Sequence, residues 1–384
     1  MAILASKERD ALISSGAKYV GLRIWKPVPQ ETADLAMRIL RDHRNPLREI
    51  YIEYDRFHPD EPNLLIMRLF ERIHELHISR LVIRMKDGRY LEHLEKAVAR
   101  FPMGQNEYAV EWRHSAPFEG ITPDILYRMF ACFNKMNISK LTLYKLTMDM
   151  IWVTELHNKA PDLLGRLRVF ELDDCGWQDK DFAHAIPKIL GLGSIQRFTI
   201  KKLLEGYSGG RHTLDAVAKA SSHLEVLRVQ GLHLSTNRDI LSVGRLIRAS
   251  PRLKILEIDT RPPNEIPDTR YPHVYRYVWK AVRQTPYLES ITFPVFGEYA
   301  LEDVEEFFRV NRDHHSLRKA ELHRYYGDDW RTVMALCRRK QKEWMRMRIL
   351  TYLCAAFCIP RIRAMCSEPV MCPDLWRRVA ECLY

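Results

Sequence analysis

The chain has 384 residues, of which 46% are hydrophobic and 10% aromatic, enough to bury a continuous core and too many for a chain that stays disordered along its length. Its 60 Lys and Arg stand against 49 Asp and Glu, a formal charge of +11 with both signs interspersed; this admits contact with nucleic acid, an acidic protein or an anionic surface and requires none of them. Lys7, Glu8, Arg9 and Asp10 occupy the place where a secretory signal needs an apolar run, and the longest apolar stretch, Ile349 to Ile359, falls short of the roughly 20 residues that span a bilayer.

The expectation is therefore an intracellular protein, cytoplasmic or nuclear, without membrane association. Its 8 cysteines are then reduced thiols.

In chain order, a short helix from Ser6 to Ser15 is expected before a first strand at Tyr19–Ile24. A helix over Glu31–His43, stopped by Pro46, leads to a second strand at Leu47–Ile52. The unit then recurs. Helices near Leu64–Leu76, Leu91–Val98, Ile125–Met136 and Ile151–His157 each precede a strand, at Ile78, Glu107, Ile138 and Leu167. Further helices near Phe182–Leu190, Leu214–Ala220, Ile240–Ile247, Val274–Val282 and Val304–Val310 precede strands at Ile195, Leu224, Leu253, Leu288 and Leu317.

The clearest copy is LRVFELDDC at Leu167–Cys175, in which apolar positions alternate with polar ones at the period of a half-buried strand. Successive strands start 28 to 31 residues apart, except for one gap of 35 that holds the proline-rich segment Arg261–Pro272. That spacing is the signature of a stacked repeat. A helix between consecutive strands makes each connection a crossover, so neighbouring strands should be parallel with the helices on one face. Helices are wider than strands, so the stack should bend into a curved horseshoe with the sheet on its concave face and the helices on its convex face.

With these residues in view, the chain resembles a leucine-rich-repeat protein of the ribonuclease-inhibitor-like subtype, as in F-box/LRR-type proteins, in a divergent form. The resemblance covers about residues 19 to 325. It departs at the ninth repeat position, where the family favours Asn or Cys: Cys175 complies, whereas Asp55, Leu146, Leu203, Leu232 and Arg261 do not. The resemblance implies an α/β solenoid of about eleven repeats over residues 1–326. Residues 327–384 follow as a C-terminal helical cap, with helices at Asp328–Lys340, Met345–Cys358 and Pro373–Leu383.

Short catalytic signatures are missing: there is no P-loop, no HExxH and no GxSxG. No cofactor or metal is expected, because the C-terminal cysteines lack the close pairing that a structural zinc site needs. The expected role is a non-catalytic scaffold for protein–protein interaction. Its partner-binding residues lie at the third, fifth and seventh positions of the strands: Trp25, Tyr51, Arg80, Arg84, Arg113, Lys140, Tyr144, Glu171, Asp173, Arg197, Lys201, Arg228, Glu257 and Asp259. Their mixed, banded charge suits a protein partner better than nucleic acid. The segments Lys201–His212 and Arg261–Pro272 are expected as loops that could join the contact.

Two alternatives stay open. Pro373–Leu383 resembles the opening helix of an F-box, which implies the substrate-recognition subunit of a ubiquitin ligase. The basic run Arg331–Arg348 could contact nucleic acid or a ribonucleoprotein.

Overall fold

A computed structural model of the chain describes residues 2–5, 11–15, 20–24, 30–42, 47–53, 64–71, 80–85, 91–99, 108–114, 123–144, 147–148, 158, 161–177, 179–191, 194–201, 210–232, 234, 236–260, 274–295, 300–323 and 330–358. Two compact units, Met1–Leu232 and His233–Tyr384, make up the chain.

In the first unit, β1 (Ala2–Ala5) pairs antiparallel with β2 (Ala11–Ser15), and β2 pairs antiparallel with β3 (Val20–Ile24). The helix expected over Ser6–Ser15 is thus corrected to a strand where it is described. Ala11 and Leu12 favour helix locally, but the open edge of β3 offers a row of unpaired backbone groups, and pairing with it overrides propensity.

From β3 onward the sheet is parallel and follows chain order through β4 (Leu47–Glu53), β5 (Arg80–Met85), β6 (Tyr108–His114) and β7 (Ile138–Tyr144). Next in the chain is β8 (Thr147–Met148), then β9 (Val169–Asp173), β10 (Gly176–Trp177), β11 (Arg197–Lys201) and β12 (Val226–Leu232). Strand β9 joins β7 directly, β11 joins β9 and β12 joins β11, while β8 and β10 form a small parallel pair of their own.

Helices supply the crossovers: α1 (Gln30–Asp42), α2 (Leu64–Glu71), α3 (Leu91–Ala99), α4 (Pro123–Lys135), α5 (Pro161–Arg166), α6 (Asp179–Leu190) and α7 (Gly210–Ala218). Helices α1 to α5 pack each on the next along one face of the sheet, and α6 packs on α7. Arg128 ties α4 to α3 there, its guanidinium donating to both carboxylate oxygens of Glu95 at 2.8 and 2.5 Å. The expected helix Ile151–His157 lies outside the described residues, and so does Arg261–Pro272. The expected loop Lys201–His212 is shorter than its stated range, since Lys201 ends β11 and α7 already opens at Gly210.

Alternation along the strands builds the core. Leu141, Leu143, Phe170, Leu172, Phe198 and Ile200 are sealed beneath the helices, and the rings of Phe170 and Phe198 stack at 6.0 Å. Burying each such side chain contributes about 1.5–3 kcal/mol. The ladder extends one residue ahead of the strands, with Arg168 N donating to Ser139 O and Glu225 N to Gln196 O at 2.9 and 2.8 Å.

The second unit repeats the plan with β13 (Ile255–Thr260), β14 (Ser290–Pro294) and β15 (Lys319–His323), again parallel. Its helices are α8 (Asn237–Ala249), α9 (Val274–Arg283), α10 (Ala300–Val310) and α11 (Trp330–Cys358). Thr236 and Asp239 close a reciprocal capping box at the start of α8. Where helices turn into strands, buried polar side chains satisfy carbonyls at the helix ends: Ser250 to Leu246 O, Thr285 to Ala281 O and Asn311 to Phe307 O.

The last helix corrects a second expectation. The two helices expected at Asp328–Lys340 and Met345–Cys358 are one continuous helix, because nothing between Trp330 and Cys358 removes a backbone donor or relaxes the backbone: the stretch holds neither Pro nor Gly. It caps the edge of β15 with side chains in place of a further strand. Gln341 accepts from Ala320 N at 2.9 Å and donates to Arg318 O at 2.7 Å, and Cys337 Sγ lies 3.4 Å from both Leu322 N and Ala320 O. Trp344 Nε1 donates to Arg312 O at 3.0 Å, and Arg348 donates to the carbonyls of Leu317 and His315.

Candidate functional site

In a pleated strand, residues that alternate with the core positions project from the opposite face. Parallel register lines these residues up as rows across the first unit. One row runs Glu49, Arg80, Ala109, Lys140, Val169, Arg197, Val226; the next runs Tyr51, Val82, Glu111, Thr142, Glu171, Thr199, Arg228. A further row runs Glu53, Arg84, Arg113, Tyr144, Asp173, Lys201. Residues 28 to 31 apart in the chain thereby become immediate neighbours.

The rows converge on Glu171. Lys140 Nζ sits 2.9 Å from its Oε1, and Thr142 Oγ1 donates to its Oε2 at 3.1 Å, so both oxygens of Glu171 are held by the adjacent strand β7. The Glu171 side chain is 17% exposed and that of Lys140 39%, so the carboxylate lies deeper than its ammonium partner, and both border a hollow. That hollow, of about 320 Å³, is lined by Ala109, Val110, Glu111, Lys140, Thr142, Glu171, Asp173 and Lys201. The short side chain of Ala109, beside Lys140 in the first row, leaves the space open. Carboxylates and ammonium groups alternate around it.

The structure brings Lys140, Tyr144, Glu171, Asp173, Arg197, Lys201 and Arg228 onto one continuous face. Tyr51, Arg80, Arg84 and Arg113 hold the matching register positions on β4, β5 and β6, and their side chains lie outside the described residues. Trp25 lies outside them altogether, as does the F-box-like stretch Pro373–Leu383. Glu257 and Asp259 belong to β13 of the second unit and form no part of this hollow; Glu257 there stands in register with Thr292.

Thr142 and Thr199 went unnamed in the sequence reading although they occupy the same strand position as Glu111 and Glu171. The repeat register was the available signal. Thr142 matters because it fixes the carboxylate of Glu171.

Among the described residues, no group of three or more His, Cys, Asp or Glu is arranged to hold a metal ion. Cys132, Cys175 and Cys337 are buried and outside any disulfide. Burial pushes the Cys132 thiol up to about 12 and raises that of Cys337, which suppresses the thiolate that nucleophilic chemistry would need.

Parallel strands alternating with helices at a repeat near 29 residues, closed by a C-terminal helix, make this a leucine-rich-repeat-like α/β solenoid. No protein-family model matches the chain, and no curated protein matches it. No helix among the described residues is long and apolar enough to cross a membrane.

Proposed function

We propose that this protein is a non-catalytic scaffold of the ribonuclease-inhibitor-like leucine-rich-repeat kind, which binds a partner protein on the open face of its parallel sheet. The observation that carries the reading is the hollow around Glu171, where Glu111, Glu171 and Asp173 are interleaved with Lys140 and Lys201. A surface of alternating sign selects a partner with the opposite alternation and repels one of uniform charge. Tyr144, together with Tyr51 and Trp25 on earlier repeats, would supply aromatic anchors, with the charges fixing register.

The test is proximity labelling in cells with the intact chain, compared with a Lys140→Glu/Lys201→Glu variant and with a helix-face control, Glu92→Lys/Lys96→Glu. Glu92 and Lys96 form an exposed pair on α3, on the other side of the sheet. Partners lost from the sheet-face variant and kept by the control support the reading. An identical partner set for all chains overturns it.

A further inference from the structure

The cap helix α11 is held in one rotational setting. Val333, Cys337 and Trp344 are buried, Gln341 and Cys337 bond the edge of β15, and Trp344 and Arg348 reach main-chain carbonyls ahead of it. A helix fixed on that side has its opposite side determined.

At about 100° per residue, Arg331, Arg338, Lys342 and Arg346 fall within one narrow stripe away from the buried face. Arg331, Arg338 and Lys342 are exposed, and Arg346 is half-buried. Arg339 and Lys340, outside the stripe, meet acids. Glu343 stands 3.8 Å from Arg339 and 3.9 Å from Lys340, and Glu305 stands 3.8 Å from Lys340, beside a hollow lined by Leu301, Glu302 and Leu336.

We infer that this stripe of α11 binds the phosphate backbone of nucleic acid without reading its sequence. Arg338, Lys342 and Arg346 recur every four residues, a step of about 6 Å along the axis, and the stripe from Arg331 to Arg346 is roughly 22 Å long. Three of its four side chains are Arg, whose planar fork of donors matches phosphate oxygens in pairs. Between the cations lie only Ala335 and, at the end, Ile349. A docked acidic protein would cover a broader surface and meet Glu302 and Glu305, which line the hollow beside Ala335. A phosphate polymer needs only the periodic charge. The inference stands on unit-two geometry and does not depend on the sheet-face reading.

The experiment is fluorescence anisotropy with the intact chain and a labelled DNA duplex of arbitrary sequence, about 20 base pairs long, titrated with salt upward from about 50 mM. With four cations engaged, log K should fall linearly with log salt with a slope of roughly −3 to −4. Arg338→Glu/Lys342→Glu should weaken binding at the lowest salt by at least about tenfold and reduce the slope by about 2. Both side chains are exposed, so the variant should keep the wild-type circular dichroism melt, and a Glu92→Lys/Lys96→Glu chain should bind the duplex as the wild type does. No binding at the lowest salt, binding insensitive to the reversal, or equal displacement of the duplex by poly-glutamate at matched charge overturns the inference.

Discussion

Cys175 Sγ donates to the main-chain carbonyl of Leu143, one repeat earlier, at 3.3 Å. Asp174, immediately before it, adopts a left-handed backbone with φ of 58°, which turns the chain out of β9 and aims the thiol at the preceding repeat. The ninth repeat position therefore acts as a bond between stacked units where a donor is present. Cys175→Ala should cost about 1–2 kcal/mol by leaving the Leu143 carbonyl buried without this donor. Cys175→Ser, which keeps a hydroxyl donor, should recover part of the loss, as measured by urea unfolding.

Lys140 and Glu171 should couple measurably but modestly. A double-mutant cycle with Lys140→Met and Glu171→Gln is expected to give roughly 0.5–1 kcal/mol, because the pair is half-buried and partly screened. Thr142→Val should lower that coupling by releasing the second oxygen of Glu171. Urea unfolding of the four chains gives the value, and a coupling of zero would mean that the hollow is not set by this pair.

Gly244 permits the close approach of α8 to α9. A Cβ there would lie 2.4 Å from Cδ1 of Tyr277, whose ring is held under Arg248 at 4.2 Å and whose hydroxyl accepts from Arg248 at 3.1 Å. On helix propensity alone Gly244→Ala would gain about 1 kcal/mol. The expected outcome in the native chain is a loss of stability, and in a Tyr277→Ala background the gain should reappear. Thermal melts of the four chains decide the sign.

Two buried groups in the second unit set opposing pH dependences. Burial, with Glu306 and Glu302 nearby, raises Asp303 from 3.8 to about 7. The unfolded chain then loses its proton first, so the stability associated with protonated Asp303 is present below about 3.8 and is lost as pH rises to about 7. Asp303→Asn should be more stable than wild type at pH above about 7, with the advantage gone near pH 4.

His314 works the other way. Its Nε2 lies 3.1 and 3.0 Å from the carbonyls of Val282 and Thr285, while Nδ1 accepts from Leu317 N at 3.1 Å, an arrangement that uses the neutral ring. Burial lowers its pKa below 6.5, so its contribution is full above 6.5 and is lost as pH falls through that value toward the lower folded one. His314→Gln should be less stable than wild type at neutral pH and should flatten the slope on the acid side of pH 6.5 in a stability profile.

Much of this was legible before any coordinates. The strand starts read from periodicity at Leu47, Ile138 and Leu167 fall within two residues of β4, β7 and β9, because apolar alternation is a direct record of which side chains the core accepts. Strand β2 was misread as helix because Ala11 and Leu12 carry a helical preference that pairing with the edge of β3 overrules. Helix α11 was expected as two, and its basic run Arg331–Arg348 gives way to an apolar stretch from Ile349. That shift records a change of surroundings, whereas a helix ends only where the backbone is interrupted.

By itself, then, the order of residues determined the repeat, its length, the parallel crossover plan and the set of strand positions that escape the core, since each of these follows from local periodicity and the handedness of the chain. Tertiary structure alone decided that Lys140 and Thr142 hold Glu171, that Ala109 opens the space beside them, and that α11 turns one face to β15 and the other outward. Those relationships join residues on different elements, 15 or more apart in the chain, and their distances are set by register and packing, which no local pattern encodes.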